Sequence, residues 1–173
     1  MRDWSIERLA EHHEIADFDC GAPSLSIWLK QNAGQFSKKD LARVYVIVAK
    51  GSARVFGYYC LSNCQARFED LPAAQSKRLP PRMPVPAVLI GKMAVDSSAQ
   101  GRGLGGLLLL SALRLIQDVA ERVGARAVCV DAVDDEARGF YLHYGFEPLL
   151  DDPRHLYLPM QAIRKLDLPP SAE

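Results

Sequence analysis

The residues best suited to chemistry lie in one stretch, Ile90-Gly91-Lys92-Met93-Ala94-Val95-Asp96-Ser97-Ser98-Ala99-Gln100-Gly101-Arg102-Gly103-Leu104-Gly105-Gly106. An apolar segment that reads as a buried strand is followed by a short polar turn. A glycine-rich loop then runs straight into a long amphipathic helix. Such an arrangement builds an anion site. The first turn of a helix carries N–H groups with no intrahelical partner, and the helix dipole adds about half a positive charge there. Gly101, Gly103, Gly105 and Gly106 have no Cβ, so a phosphate reaches the bare backbone and unusual φ values cost little.

Spacing distinguishes between glycine-rich loops. A P-loop needs Lys-Ser/Thr after its last glycine, and Leu107-Leu108 stands there instead. A dinucleotide fingerprint needs G-x-G-x-x-G, whereas the order here is Gly101-x-Gly103-x-Gly105-Gly106. The pattern Gln100-x-x-Gly103-x-Gly105 resembles the coenzyme A pyrophosphate loop of GNAT-superfamily N-acetyltransferases. A glycine-rich helix cap that binds nothing is the plainer alternative. A second segment carries the same resemblance: Val130-Asp131-Ala132, then Ala137-x-x-Phe140-Tyr141-x-x-Tyr144-Gly145-Phe146, similar to the C-terminal A-x-x-F-Y-x-x-x-G-F pattern of that fold.

The resemblance implies acetyl-CoA as the acetyl donor and no metal. It implies that Met93, Ala94 and Val95 line the pantetheine arm, with main-chain groups of Met93 and Val95 holding it like an added strand. Gln100, Gly101, Arg102, Gly103, Leu104, Gly105 and Gly106 form the pyrophosphate loop, the N–H groups from Arg102 onward making the contacts. Tyr141 matches the family tyrosine that gives a proton to the leaving thiolate. A helical tyrosine beside Phe140 also suits a core, so both readings stand, and Tyr144 reads as packing.

One departure is informative. Many superfamily members place a glutamate on the strand before the loop as general base, but Val88–Val95 contains no carboxylate. Asp96, at the strand's end, reads as shaping the turn. Without a base the acceptor amine must already be partly neutral near pH 7. An α-amine, with a pKa of about 7.7–8.0, meets that better than lysine at about 10.4. A water chain is the other way to remove the proton.

Phe18-Asp19-Cys20-Gly21 with Leu25 and Trp28-Leu29, the basic proline-rich segment 77–86, and the Ile90–Asp96 strand resemble one branch of the superfamily. That branch comprises bacterial toxins of type II toxin–antitoxin pairs, which acetylate the α-amine of aminoacyl-tRNA and stop translation. The branch implies an aminoacyl-tRNA substrate, a small ribbon–helix–helix DNA-binding antitoxin and a homodimer. Lys38, Lys39, Arg78, Arg82 and Lys92 are the candidates for the tRNA surface. The rivals are an acetyltransferase of a small amine, protein N-terminus or lysine, and a non-catalytic acyl-CoA-binding module.

Charge is compatible with a nucleic-acid partner. The chain is neutral overall, but residues 38–102 carry +7, against −3 before them and −4 after. Scattered solvated charge around a bound coenzyme is the alternative. With 173 residues and 49% hydrophobic content, the chain has the length of one domain with its own core. No apolar run reaches the ~18–20 residues of a membrane span, and the N-terminus does not resemble a signal peptide. Cys20, Cys60, Cys64 and Cys129 show no C-x-x-C pairing, which fits reduced cysteines in the cytoplasm. His12-His13 has no evident ligand set nearby and reads as a surface or capping pair.

These features need a scaffold. Trp4-Ser5-Ile6 reads as a strand, Glu7–Glu14 as helix-like, and Pro23-Ser24 as a helix start with Leu25, Trp28 and Leu29 on one face. Val44–Ala49 and Val55–Leu61 form a hairpin, and residues 67–86 are too proline-dense for a regular element. After the Val88–Asp96 strand, a helix runs from Leu104 to about Val123, with a stripe of Leu104, Leu108, Ala112, Leu115, Ile116, Val119 and Val123. Ala127–Ala132 follows as a strand parallel to the preceding one by a right-handed crossover. A helix capped by Asp134-Asp135-Glu136 carries Phe140-Tyr141 and ends at Gly145, and 146–149 and 156–160 close as strands. The expectation is an α/β (α+β mixed-sheet) GNAT acyltransferase fold: a mostly antiparallel twisted sheet, one parallel pair splayed at the coenzyme site, and helices on both faces. A single domain would span residues 1–163, with a flexible tail over 164–173.

Overall fold

A computed structural model describes residues 3–170. Seven strands form one sheet in the order β1-β2-β3-β4-β5-β7-β6. They are β1 Trp4–Arg8, β2 Arg43–Ala49, β3 Val55–Ala66, β4 Val85–Val95, β5 Ala127–Asp131, β6 Glu147–Pro148 and β7 His155–Pro159. The helices are α1 Pro23–Gln31, α2 Ala33–Lys38, α3 Ala73–Ser76, α4 Leu104–Val123, α5 Asp135–His143 and α6 Met160–Ile163. The chain divides into two compact units, one of residues 3–62, 91–115 and 168–170, the other of residues 63–90 and 116–167. Among the described residues, no helix is long and apolar enough to cross a membrane.

In the first unit, β1 and β2 pair antiparallel from Trp4↔Ala49 to Arg8↔Tyr45, and β2 pairs with β3 from Arg43↔Leu61. The helix expected over Glu7–Glu14 is therefore corrected. Glu7 and Arg8 lie opposite Val46 and Tyr45, and the ladder takes the main-chain groups a helix would need. Residues 9–14 form a turn closed by the His13 ring, whose Nδ1 accepts the Ala10 N–H at 2.9 Å. Strand alternation sends Val44, Val46 and Val48 to one face, where they meet Phe18, Leu29, Ala33, Tyr58, Cys60 and Ala94. Leu25, Trp28 and Phe36 pack onto that cluster. Leu29 is fully buried, as the i, i+3, i+4 face of α1 requires, and its removal to Ala would cost about 2–5 kcal/mol. The Tyr58 hydroxyl ties α1 to β3 by donating to the Leu25 carbonyl at 2.7 Å.

In the second unit, β4 and β5 run parallel from Ala87↔Ala127 to Ile90↔Val130, as the crossover reading expected. β5 pairs antiparallel with β7, and β7 with β6. Ala66, Leu71, Val85, Ala87, Ala127, Cys129 and Tyr157 form its core. The segment read as irregular contains a single 3-10 turn at Phe68–Asp70 and the one-turn helix α3, and β4 begins at Val85 with Pro86 inside it. All four cysteines are free, and burial pushes the Cys60 thiol up to about 11, which leaves it an unreactive core residue. Met160 opens α6 instead of closing the last strand.

Helix α4 has the expected bounds, but its buried stripe is Leu104, Leu108, Ala112, Ile116 and Ala120, widened by Leu109 and Leu113. Val119 and Val123, placed on the stripe by the sequence reading, are exposed, as is Leu107. At 3.6 residues per turn the buried arc drifts from Val119 to Ala120 in the fifth turn. Of the tail expected over 164–173, Arg164, Lys165 and Leu166 continue α6 as turns with main-chain bonds to Met160, Ala162 and Ile163. Residues 171–173 lie outside the described residues, as do Met1 and Arg2 of the N-terminus.

Candidate active site

The site is built first from the end of β4. The Asp96 N–H donates to the Phe56 carbonyl at 2.8 Å, toward β3. By strand alternation Val95 and Met93 turn their main-chain groups the other way, while pairing with β5 has already stopped at Ile90↔Val130. Backbone donors and acceptors are thus presented where an extended arm could add as a strand. The Val95 carbonyl already accepts the Gln100 side-chain amide at 3.0 Å.

A single 3-10 turn, Ser97–Ala99, then leads to the glycine loop. Asp96 caps it: Oδ1 accepts the Ser98 N–H at 2.9 Å and the Ser98 hydroxyl at 2.6 Å, and Oδ2 accepts the Asp19 N–H at 3.0 Å. Arg54 lies 4.0 Å away. Burial would raise the Asp96 carboxyl, but these donors and the Arg54 charge outweigh it and hold the group below the usual carboxylate range. Asp96 is therefore an ionised turn former, as its position suggested, with its oxygens committed to the scaffold.

Gly101 and Gly103 have φ of +78° and +77°, in the left-handed region, and a Cβ on either would meet open space. This is the cradle a pyrophosphate needs: bare backbone with room in front of it. The first bond inside α4 runs from the Leu107 N–H to the Gly103 carbonyl at 3.2 Å, so the N–H groups of Leu104, Gly105 and Gly106 precede the helix's own ladder. Leu104 anchors the loop by its fully buried side chain, and Arg102 is exposed. The Gln100 amide donates to the Cys20 and Val95 carbonyls, both at 3.0 Å, so its side chain braces the loop from behind.

Tyr141 belongs to the second unit. Asp134 caps α5 by accepting the Ala137 N–H at 2.8 Å, and Gly145, at φ +93°, follows its end. Tyr141 is 6% exposed, with its ring edge-on to Phe140 at 5.2 Å and to Phe146 at 5.4 Å. Tyr144 packs on Phe140 at 5.1 Å, as expected of a packing residue. Lys38 and Lys39 are exposed at the end of α2, whereas Lys92 is half-buried with its ammonium 5.6 Å from the Trp28 ring. Arg78 and Arg82 are exposed in the second unit, and Arg82 holds a left-handed φ of +60°.

The histidine pair has a neighbour that spacing did not reveal, because the strand brings Glu7 back beside it. Ligand atoms of Glu7, His12 and His13 lie within 4.8 Å of one another. Since His13 Nδ1 accepts a main-chain N–H, its proton sits on the buried Nε2, which faces the Glu7 carboxylate at 3.7 Å. A nitrogen that carries its proton has no lone pair for a metal, so this group is a structural pin.

A strand that sheds its parallel partner, a left-handed glycine loop and an unladdered helix start together define an acyl-coenzyme A transferase scaffold. The sequence profile of the Acetyltransferase (GNAT) domain matches residues 41–148, and the chain belongs to the GNAT acetyltransferase family. It is 36% identical over 159 residues to the tRNA-acetylating toxin of Mycobacterium tuberculosis (strain ATCC 25618 / H37Rv), covering 92% of this chain and 93% of that protein. The crystal structure of a tyrosine-to-phenylalanine mutant of KacT superposes with a TM-score of 0.89 at 30% identity, covering 95% of this chain and 99% of KacT. AtaT complexed with acetyl-methionyl-tRNAfMet gives 0.87 at 28% identity, covering 94% and 98%. A mutant of AtaT bound to the C-terminus of the antitoxin AtaR and acetyl-CoA gives 0.80 at 25%, covering 94% and 96%.

Proposed function

We propose that this chain is a toxin that uses acetyl-CoA to acetylate the α-amine of aminoacyl-tRNA, and so stops translation. The observation that carries the reading is the full-length likeness to a tRNA-acetylating toxin, joined to a glycine cradle of the right shape. Gly101–Gly106 would hold the pyrophosphate through backbone N–H groups and the α4 dipole. Met93 and Val95 would hold the pantetheine arm. Acetyl-CoA, when bound, supplies an activated acetyl thioester. Tyr141 is the proton donor to the departing sulfur, and its packed ring fixes where its hydroxyl can be. Val88–Val95 offers no carboxylate and Asp96 is committed to its turn, so the amine must arrive already partly neutral and its proton leaves to water. That selects an α-amine, with pKa about 7.7–8.0, over lysine.

Lys38, Lys39, Arg78, Arg82 and Lys92 would meet the tRNA backbone, and binding would weaken with salt. A toxin of this kind needs an antitoxin, and the AtaT complex with AtaR supports a cognate partner. We take that partner to be a small ribbon–helix–helix protein, the toxin to be a homodimer and its compartment to be the cytoplasm. The test is an in vitro translation reaction with acetyl-CoA, comparing wild type with Tyr141→Phe, followed by mass spectrometry of the charged tRNAs. N-acetyl-aminoacyl-tRNA with wild type and none with the variant supports the reading. Translation that runs on, with free aminoacyl ends, overturns the toxin and moves the search to small amines and protein N-termini.

A further inference from the structure

The loop that would hold the pyrophosphate is stitched to a distant part of the chain, the strap Asp19-Cys20-Gly21 that leads into α1. The Asp96 carboxylate, whose side chain is 6% exposed, takes the Asp19 N–H on Oδ2, and the Ser97 N–H returns to the Asp19 carbonyl at 2.8 Å. The Asp19 carboxylate folds the strap by accepting the Gly21 N–H at 2.9 Å. Gly21 sits at φ +85°, where a Cβ would be 3.8 Å from the Ser97 hydroxyl. Gln100 closes the seam by donating one amide to both the Cys20 and Val95 carbonyls. Residues 96–100 therefore meet Asp19 and Cys20 through three hydrogen bonds immediately before Gly101 turns left-handed.

We infer that Asp96 and Gln100 are positioning residues for the coenzyme loop, acting through the strap and not through contact with the coenzyme. Two left-handed glycines with open space around them have little rigidity of their own. An anion site works only when its donors are fixed before the anion arrives. The charged Asp96 seam and the Gln100 bridge supply that fixing from behind and leave the front of the loop clear. Asp96→Asn replaces one acceptor oxygen with a donor facing the Asp19 N–H, and Gln100→Leu removes the bridge at similar size. Each frees the loop's start; Asp96→Asn leaves the hydrogen bonds of Met93 and Val95 in place, and Gln100→Leu releases only the Val95 carbonyl.

The inference rests on the coenzyme reading above, and the experiment separates the two. Wild-type full-length protein is first titrated with coenzyme A by calorimetry; absence of binding overturns the coenzyme reading itself. With binding established, kcat and KM are measured for acetyl-CoA and for acetyl-pantetheine, which lacks the pyrophosphate, with aminoacyl-tRNA as acceptor. In each variant, kcat/KM for acetyl-CoA should fall about tenfold, mostly through KM, with acetyl-pantetheine changed less than about twofold. Equal losses with both donors would mean general destabilisation, and unchanged acetyl-CoA kinetics would mean an idle seam; either overturns the inference. Gln100→Leu, which touches no buried charge, decides the matter if Asp96→Asn does not fold.

Discussion

Asp134 accepts the Ala137 N–H at 2.8 Å, and this one bond fixes the start of the helix on which Tyr141 stands, one turn beyond Ala137. The cap carboxylate is exposed and Tyr141 is buried, so the same short helix has a replaceable end and an irreplaceable ring. Asp134→Ala should cost about 1 kcal/mol in urea unfolding. A larger proportional fall in kcat than in KM is expected, because the Tyr141 hydroxyl loses its fixed direction.

Tyr141→Phe keeps the ring that meets Phe140 and Phe146 and removes only the hydroxyl. Its kcat should drop by about 10²-fold or more while the KM for acetyl-CoA stays near wild type. Thermal unfolding should move little, since one hydroxyl is worth about 0.5–1.5 kcal/mol. A variant that retains wild-type kcat would return Tyr141 to the core reading.

Gly103→Ala adds a methyl to open space, so no clash arises, and the cost is the left-handed backbone alone, about 1–2 kcal/mol. Under the proposed function that methyl stands where the pyrophosphate would approach. The expected result is a modest loss of stability with a several-fold rise in the KM for acetyl-CoA, read by steady-state kinetics. Gly57→Ala is the contrasting case. Its Cβ would lie 2.9 Å from the Ala94 carbonyl oxygen and from Leu108 Cδ1, an overlap in close-packed surroundings worth about 1–3 kcal/mol.

Arg82 bears a left-handed φ of +60° that glycine would adopt freely. Arg82→Gly should therefore raise the unfolding temperature slightly, by relief of about 1 kcal/mol. If its charge meets tRNA, the same change raises the KM for aminoacyl-tRNA and lowers the slope of affinity against salt by about one charge. Gains in stability with unaltered salt dependence would remove Arg82 from the RNA surface.

His155 bonds Asp151 at 2.8 Å and faces Asp131 at 3.3 Å. The Asp151 bond, helped by the Asp131 charge, raises the imidazole above its usual value. Burial would raise the Asp151 carboxyl, but the His155 bond outweighs it and holds that group below the usual range. The raised histidine stabilises the fold fully below about pH 6.5 and loses its contribution as pH rises through the folded value. The depressed aspartate contributes above about pH 3.9 and loses it as pH falls through its folded value. Melting curves of wild type and His155→Asn should thus differ most between about pH 4 and 6.5 and converge at alkaline pH.

Local chemistry made much of this protein legible from its sequence alone. The Gln100-x-x-Gly103-x-Gly105 loop, the α4 bounds, the Asp134 cap and the Gly145 stop all act within a few residues, so spacing was enough to read them. Two β-rich runs separated by a short turn likewise announced the hairpin, and the strand–helix–strand order announced the parallel β4–β5 pair. Only the tertiary structure decided what depends on partners far along the chain. Glu7 and Arg8 are strand because β2 lies beside them, and Val119 is exposed because the buried arc had moved to Ala120 by the fifth turn. The strap at Asp19 and the carboxylate at Asp96 are 77 residues apart, and hydrogen bonds between them leave no periodicity to read. A local pattern fixes which backbone groups are available; folding fixes which distant groups hold them in place.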